Sequence, residues 1–122
     1  MSIHDLYAVS TTDLETANSL LSSALGLSFA GHSSHFFGDY DLAELSDGRG
    51  SMRIQPNLNP QFEEGIDSPE ERFMEYHFAD QPLLLYVDVE GITQAEKLRE
   101  NLLLLSPTIK MLKREQSVDD AL

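Results

Sequence analysis

Hydrophobic positions change period several times along this chain, and each change marks an element. Ile3 to Ser10 carries Ile3, Leu6, Tyr7, Ala8 and Val9 and reads as a first strand, stopped by Ser10-Thr11-Thr12. Thr12-Asp13-Leu14-Glu15 has capping-box spacing, and Leu14, Ala17, Leu20, Leu21, Ala24 and Leu25 then recur at helical spacing. Gly26 sits where a left-handed helix cap belongs. Leu27, Phe29 and the polar run Gly31 to His35 read as an edge strand entering a turn. From Phe36 to Leu45, Tyr40, Leu42 and Glu44 alternate with Asp41, Ala43 and Leu45, a strand with one partly wet face. Ser46 to Gly50 has hairpin-turn composition, and Met52, Ile54 and Pro56 alternate with Arg53 and Gln55 in the returning strand.

The segment from Asn57 to Asp80 has no such period. It mixes Pro60, Gly65, Pro69, many carboxylates and the aromatics Phe62, Phe73, Tyr76 and Phe78. A connection this long in a compact domain is usually functional or disordered, and its aromatics argue against disorder. Ser68-Pro69-Glu70-Glu71 suits the start of one helical turn. Leu83 to Val89 follows, the one run too apolar for either face to meet water. Bounded by Pro82 and Gly91, it reads as a central strand covered on both faces. Thr93-Gln94-Ala95-Glu96 is a second capping-box match, ahead of Ile92, Ala95, Leu98, Leu102 and Leu105 at helical spacing, and Pro107 closes that helix. Ile109, Met111 and Leu112, interleaved with Lys110, Lys113 and Arg114, make a last strand with a basic exposed side. The pattern predicts a single α+β domain over 1–115, an antiparallel or mixed sheet with two helices packed on it, and a frayed tail over 116–122.

Charge changes the picture more than composition does. The formal net charge is −13. Such a surface repels phosphate backbones and anionic lipids and favours encounter with a basic partner, so neither nucleic acid nor membrane is expected to bind. Without cysteine there is no disulfide framework, and the start of the chain lacks the features of a signal peptide. Both point to the cytoplasm.

Little in the sequence carries catalytic chemistry. His32 and His35 fall outside the usual zinc spacings, no serine lies in a Gly-x-Ser-x-Gly elbow, and Gly48-Arg49-Gly50 is a turn rather than a phosphate loop. Two acidic stretches stand out instead. Asp39, Tyr40, Asp41 and Glu44 lie on one strand, and Glu63, Glu64, Asp67, Glu70, Glu71 and Glu75 lie on the long loop. Carboxylates among aromatics are the composition of a surface for a basic protein, since aromatics anchor and carboxylates steer.

Several short motifs occur in a fixed order: Asp5-Leu6-Tyr7, Leu25 to Phe29, Ser33 to Tyr40, Ile54-Gln55-Pro56-Asn57, Pro82 to Val87 and Leu112 to Glu115. Together they resemble a family of small acidic bacterial proteins, the immunity proteins of contact-dependent inhibition and related polymorphic toxin systems. The resemblance implies a cytoplasmic, non-enzymatic protein, a monomer or weak homodimer. It would bind the C-terminal domain of one cognate toxin, often a basic nuclease, with no catalytic residues, metal or cofactor. A second likeness is to one module of the vicinal-oxygen-chelate (glyoxalase-like) fold, a metal-dependent enzyme or small-ligand binding class. It would call on His4 and Glu44, but its second module is poorly matched.

Overall fold

The computed structural model describes residues 1–11, 13–45 and 48–117. Its elements are β1 (Ser2–Val9), α1 (Leu14–Leu25), β2 (Ala30–Ser34), β3 (Gly38–Glu44), β4 (Gly50–Pro56), β5 (Leu83–Glu90), α2 (Ile92–Leu103) and β6 (Ile109–Ser117), with short 3-10 turns at Pro69–Arg72 and Tyr76–Phe78. The strands form one sheet in the order β2-β3-β4-β5-β1-β6. Every neighbouring pair is antiparallel, so the expected α+β sheet is antiparallel rather than mixed. β1 and β4 therefore run the same way with β5 between them, and β5 and β6 do so around β1. The units β1-α1-β4 and β5-α2-β6 interlock as a ferredoxin-like split β-α-β pair, and β2 and β3 extend its edge.

The helices begin differently from their sequence signals. Asp13 caps α1, its carboxylate accepting the Thr16 amide at 2.7 Å. The cap is thus one residue later than the Thr12 box, and Thr12 lies outside the described residues. An aspartate immediately before the first helical residue both accepts an orphan amide and places negative charge at the positive helix end. α2 starts at Ile92 behind Gly91, which has φ 85° and makes no side-chain cap. The chain leaves β5 through a turn that needs positive φ, so the helix begins before Thr93 can cap it. Glu96 faces Arg99 and Arg114 instead. The hairpin expected at Ser46 to Gly50 includes Ser46 and Asp47, which lie outside the described residues. Gly50 itself is required by packing, since a Cβ there would stand 2.6 Å from the Asp88 carbonyl oxygen.

Both helices cover the same face of the sheet. Ala17 and Leu21 of α1 and Ala95 and Leu102 of α2 share a core with Ile3, Tyr7, Val9, Met52, Ile54, Leu83, Leu85, Val87 and Val89. Those strand positions are alternate residues, as one face requires. Their neighbours Leu6, Ala8, Gln55 and Leu84 point the other way, and they too are buried. Residues 57–82 cross that second face. Glu75 reaches from this connection to Lys113 on β6, Nζ to carboxylate 3.0 Å, and it also hydrogen-bonds Tyr86 on β5. β5 is thus enclosed by helices on one side and an irregular segment on the other.

Buried Asn57 holds that segment in place. Its Nδ2 donates to the carbonyls of Glu75 at 3.3 Å and Phe78 at 2.9 Å, and its Oδ1 accepts the Glu75 amide at 2.8 Å. Asn59 repeats the device on the next arm, donating to the Glu71 carbonyl at 2.9 Å. Ser68 precedes the first 3-10 turn, with Pro69 at its start as the sequence predicts.

A charged cluster locks β6 to the rest. Asp5 is buried on β1 and accepts two bonds from Arg114, Nε to Oδ1 at 2.7 Å and Nη2 to Oδ2 at 2.9 Å. Arg114 also donates to Glu96 of α2, which holds the Glu96 carboxyl below the usual range. β6 continues through Gln116 and Ser117, paired with Ile3 and Ser2, two residues beyond the expected end of the domain. Residues 118–122 of the expected tail lie outside the described residues.

Three outcomes test this framework. Arg114→Ala strands a buried carboxylate and is expected to cost about 3–5 kcal/mol in denaturant unfolding. The apolar pair Asp5→Leu with Arg114→Met should recover most of that loss. Asn57→Ala leaves the Glu75 amide without a partner and removes one of two bonds from each of the Glu75 and Phe78 carbonyls, for an expected loss of about 1–3 kcal/mol and first proteolytic cleavage within 57–82. Tyr7 is fully buried with an unpartnered hydroxyl, and burial pushes its phenol up from 10.0 to about 12. The folded state resists phenolate formation, so this contribution to stability is complete below pH 10 and is lost as pH rises towards about 12. Tyr7→Phe should flatten that alkaline decline and leave neutral-pH stability unchanged or about 1 kcal/mol higher; a loss of stability at neutral pH would count against the orphaned hydroxyl.

Candidate functional site

At the start of β3 and the end of β4, the long connection leaves the sheet and opens a groove. It encloses about 420 Å³ and is lined by Phe37, Gly38, Asp39, Pro56, Leu58, Asn59, Pro60, Phe62 and Arg72. Leu58 is 57% exposed beside it, an apolar side chain with no cover. Pro56 ends the β4 ladder, and the hydrogen bonds of Asn57 and Asn59 then shape the path of the groove wall. Phe37 stands in the turn between β2 and β3, where the Ser34 hydroxyl oxygen accepts its amide at 2.9 Å.

Two of the protein's own guanidinium groups lie on this surface. Arg53 sits between Phe37 and Tyr86, its Cζ 4.2 Å and 4.5 Å from the two ring centres. Arg72 lies over Phe62 at 5.2 Å and approaches Glu64 at 3.6 Å. Both members of that ion pair are largely exposed, so it adds little stability. Tyr40 continues the aromatic row, edge-on to Phe37 and stacked on His32.

The carboxylates of the two acidic stretches divide into three groups. Asp39 lines the groove, and Glu63, Glu64, Glu70 and Glu71 flank its Phe62 and Arg72 in sequence, all five exposed. Among the described residues, Asp39, Glu63, Glu70 and Glu71 meet no cation in an ion pair. A second group serves the fold. Asp41 shares the helix-covered face with Ala43, is buried, and accepts Asn18 Nδ2 at 2.9 Å. Glu75 is occupied by Lys113 and Tyr86, and Asp67 accepts the Glu63 amide at 2.8 Å. Glu44 stands alone at the far end of β3, roughly 17 Å from Asp39 by strand rise. Tyr40 is half-buried, its ring against those of Phe37 and His32, and it does not line the groove.

Sequence reasoning missed Leu58, Pro60, Asn59 and Arg72 as groove residues. Their only signal is the sequence Pro56-Asn57-Leu58-Asn59-Pro60, two prolines framing an apolar residue between side chains suited to holding turns.

Other clusters have structural partners. His4 donates or accepts through both ring nitrogens, Nδ1 to Asp88 at 2.7 Å and Nε2 to the Ser117 hydroxyl at 3.0 Å, fastening β1 to both neighbours. Two strands separate β1 from β3, which puts His4 and Glu44 about 14 Å apart at ordinary strand spacing. The glyoxalase-like pair is therefore not brought together. His32 and His35 contact Tyr40 and Phe36 rather than each other. Among the described residues no group of three or more His, Cys, Asp or Glu converges on a metal position, and no helix is long and apolar enough to cross a membrane. A larger depression of about 680 Å³ lies between the helices over Leu25, Leu27, Leu45 and Leu98, with Arg49, Glu90 and Lys97 mixed along its rim. The groove beside β3 also carries both signs, Asp39 and Arg72, but there Arg72 rests on Phe62 and Glu64 while Asp39 has no ion-pair partner among the described residues, next to the open apolar surface of Leu58. Comparison of the chain with protein-family models and with curated proteins finds no match.

Proposed function

We propose that this protein is an immunity-type inhibitor that binds a basic toxin domain and neutralises it by covering its surface. The observation that carries the reading is the groove itself: open apolar surface at Leu58 and Pro60, aromatic walls at Phe37 and Phe62, and Asp39 without an ion-pair partner among the described residues, with exposed Glu63, Glu70 and Glu71 close in sequence to its Phe62 and Arg72. Unpaired like charges on one surface repel each other and reduce stability, which a partner of opposite charge relieves. Apolar anchors at the centre and charges at the rim divide the work as protein interfaces do, the first holding the complex and the second speeding its formation. An inhibitor of this kind needs no reacting group of its own. The resemblance of the ordered motifs to those of immunity proteins, whose toxin targets are often basic nucleases, fits the same chemistry.

The decisive experiment uses the toxin gene expected immediately upstream. Co-expression with that toxin's C-terminal domain should restore growth and yield a stable complex; failure of both would sink the reading. Glu70→Lys with Glu71→Lys is expected to slow association roughly tenfold or more at low ionic strength and to weaken its salt dependence, with dissociation changed less. Stopped-flow mixing across a salt series measures this, and unchanged association would remove the Pro69–Arg72 turn from the contact.

A further inference from the structure

Arg72 shows in miniature what this groove holds. Its guanidinium lies on the Phe62 ring and leans on Glu64, yet neither contact is tight: the ring centre is 5.2 Å away, the carboxylate oxygen 3.6 Å, and the two charged side chains are 49% and 84% exposed. Arg53 shows a tighter form of the same contact, its guanidinium held between the rings of Phe37 and Tyr86 at the inner side of the site. Phe37 and Phe62 both line the groove, so its two aromatic walls already carry guanidinium groups from the protein itself. Asp39 stands on the lip without a cation.

From this geometry we infer that the groove is the docking slot for an arginine side chain of the basic partner, and that Arg72 is a loosely held placeholder which the incoming guanidinium displaces. The inference rests on the proposed binding of a basic protein and names the group that is bound. Arginine suits the slot better than lysine for three reasons. Its planar head stacks on an aromatic face, its two edges meet a carboxylate bidentately, and it is less strongly hydrated than an ammonium. Its aliphatic stem fits over Leu58 and Pro60, where apolar surface is open. Asp39 would take the guanidinium as Glu64 takes Arg72, and each displaced contact is replaced by one of the same kind. Because Arg72 competes for the same ring and the same field, its own charge lowers the affinity of the site. Removing it should strengthen binding, the reverse of what loss of an ordinary interface arginine does.

The test needs no toxin. Acetyl-Arg-Leu-Arg-amide, its lysine counterpart and its citrulline counterpart are titrated into the isotopically labelled full chain, with amide shifts followed by NMR. The expected result is saturable shifting confined to Phe37, Gly38, Asp39, Leu58, Asn59 and Phe62, strongest for arginine and absent for neutral citrulline. Arg72→Gln should tighten the arginine peptide by at least about threefold, the size of an exposed cation–π contact. Asp39→Asn should weaken it, with the variant's amide spectrum confirming an unchanged fold. Equal shifts for lysine and arginine spread over the acidic surface would overturn the inference, as would weaker binding by Arg72→Gln. The two readings separate cleanly. A peptide that binds here while the upstream toxin domain is neither bound nor neutralised leaves the slot standing and removes the toxin. A toxin complex indifferent to Asp39→Asn and Arg72→Gln keeps the inhibitor and removes the slot.

Discussion

The second face of β5 is the constraint from which the rest of the architecture follows. Leu84 and Leu85 point to opposite sides of the sheet, and neither has any solvent exposure. The two helices can cover only one side, because both connections cross the sheet on the same face. The remaining cover must come from the stretch between β4 and β5. That stretch has no ladder, so local turns satisfy part of its backbone and the side chains of Asn57 and Asn59 tie those turns together. An irregular segment pinned in this way turns its apolar residues toward the sheet and its carboxylates toward water. The acidic surface is therefore the outer side of a structural cover, and its shape is set by the strand beneath it.

Electrostatics divides along the same line. Around β6, charges are paired: buried Asp5 with Arg114, Arg114 with Glu96, and Glu75 with Lys113. Burying Asp5 is tolerable only because a planar guanidinium meets both of its oxygens. Two of the protein's eight lysines and arginines, Lys113 and Arg114, are spent in these pairs. Near the groove the two cations Arg53 and Arg72 rest on aromatic rings. The net charge of −13 is thus unevenly distributed in effect, neutralised where it supports the fold and left open where a partner can reach it.

Local pattern was enough to place the strands and helices, to identify Leu83 to Val89 as doubly covered, and to single out 57–80 as unusual. Those features depend on the spacing of apolar residues, which is a property of short range. It also contained a warning about Asp41, whose alternation with Ala43 and Leu45 puts it on the buried face of β3. Its burial follows from the partner Asn18, a helix residue that alternation within one strand cannot supply. Helix starts were less legible, since a capping sequence shows that a cap is possible and the approach of the preceding strand decides where the helix begins.

What the sequence by itself determined is an acidic α+β domain with a long aromatic and carboxylate-rich connection. Only the tertiary structure decided which carboxylates are free. Asp39, Glu63, Glu70 and Glu71 stay exposed and without an ion pair among the described residues, Glu64 leans on Arg72, Glu44 lies at the far end of β3, and Asp41, Asp67 and Glu75 are drawn into the fold. The physical reason is that a carboxylate's role depends on what lies within a few ångströms of it, and those neighbours are supplied by strands and loops far away in the chain. Pairing of β1 with β6 brings Arg114 to Asp5, and the crossing of the long connection brings Glu75 to Lys113. No local pattern encodes either meeting, and together they separate the charges that hold this protein together from those it presents.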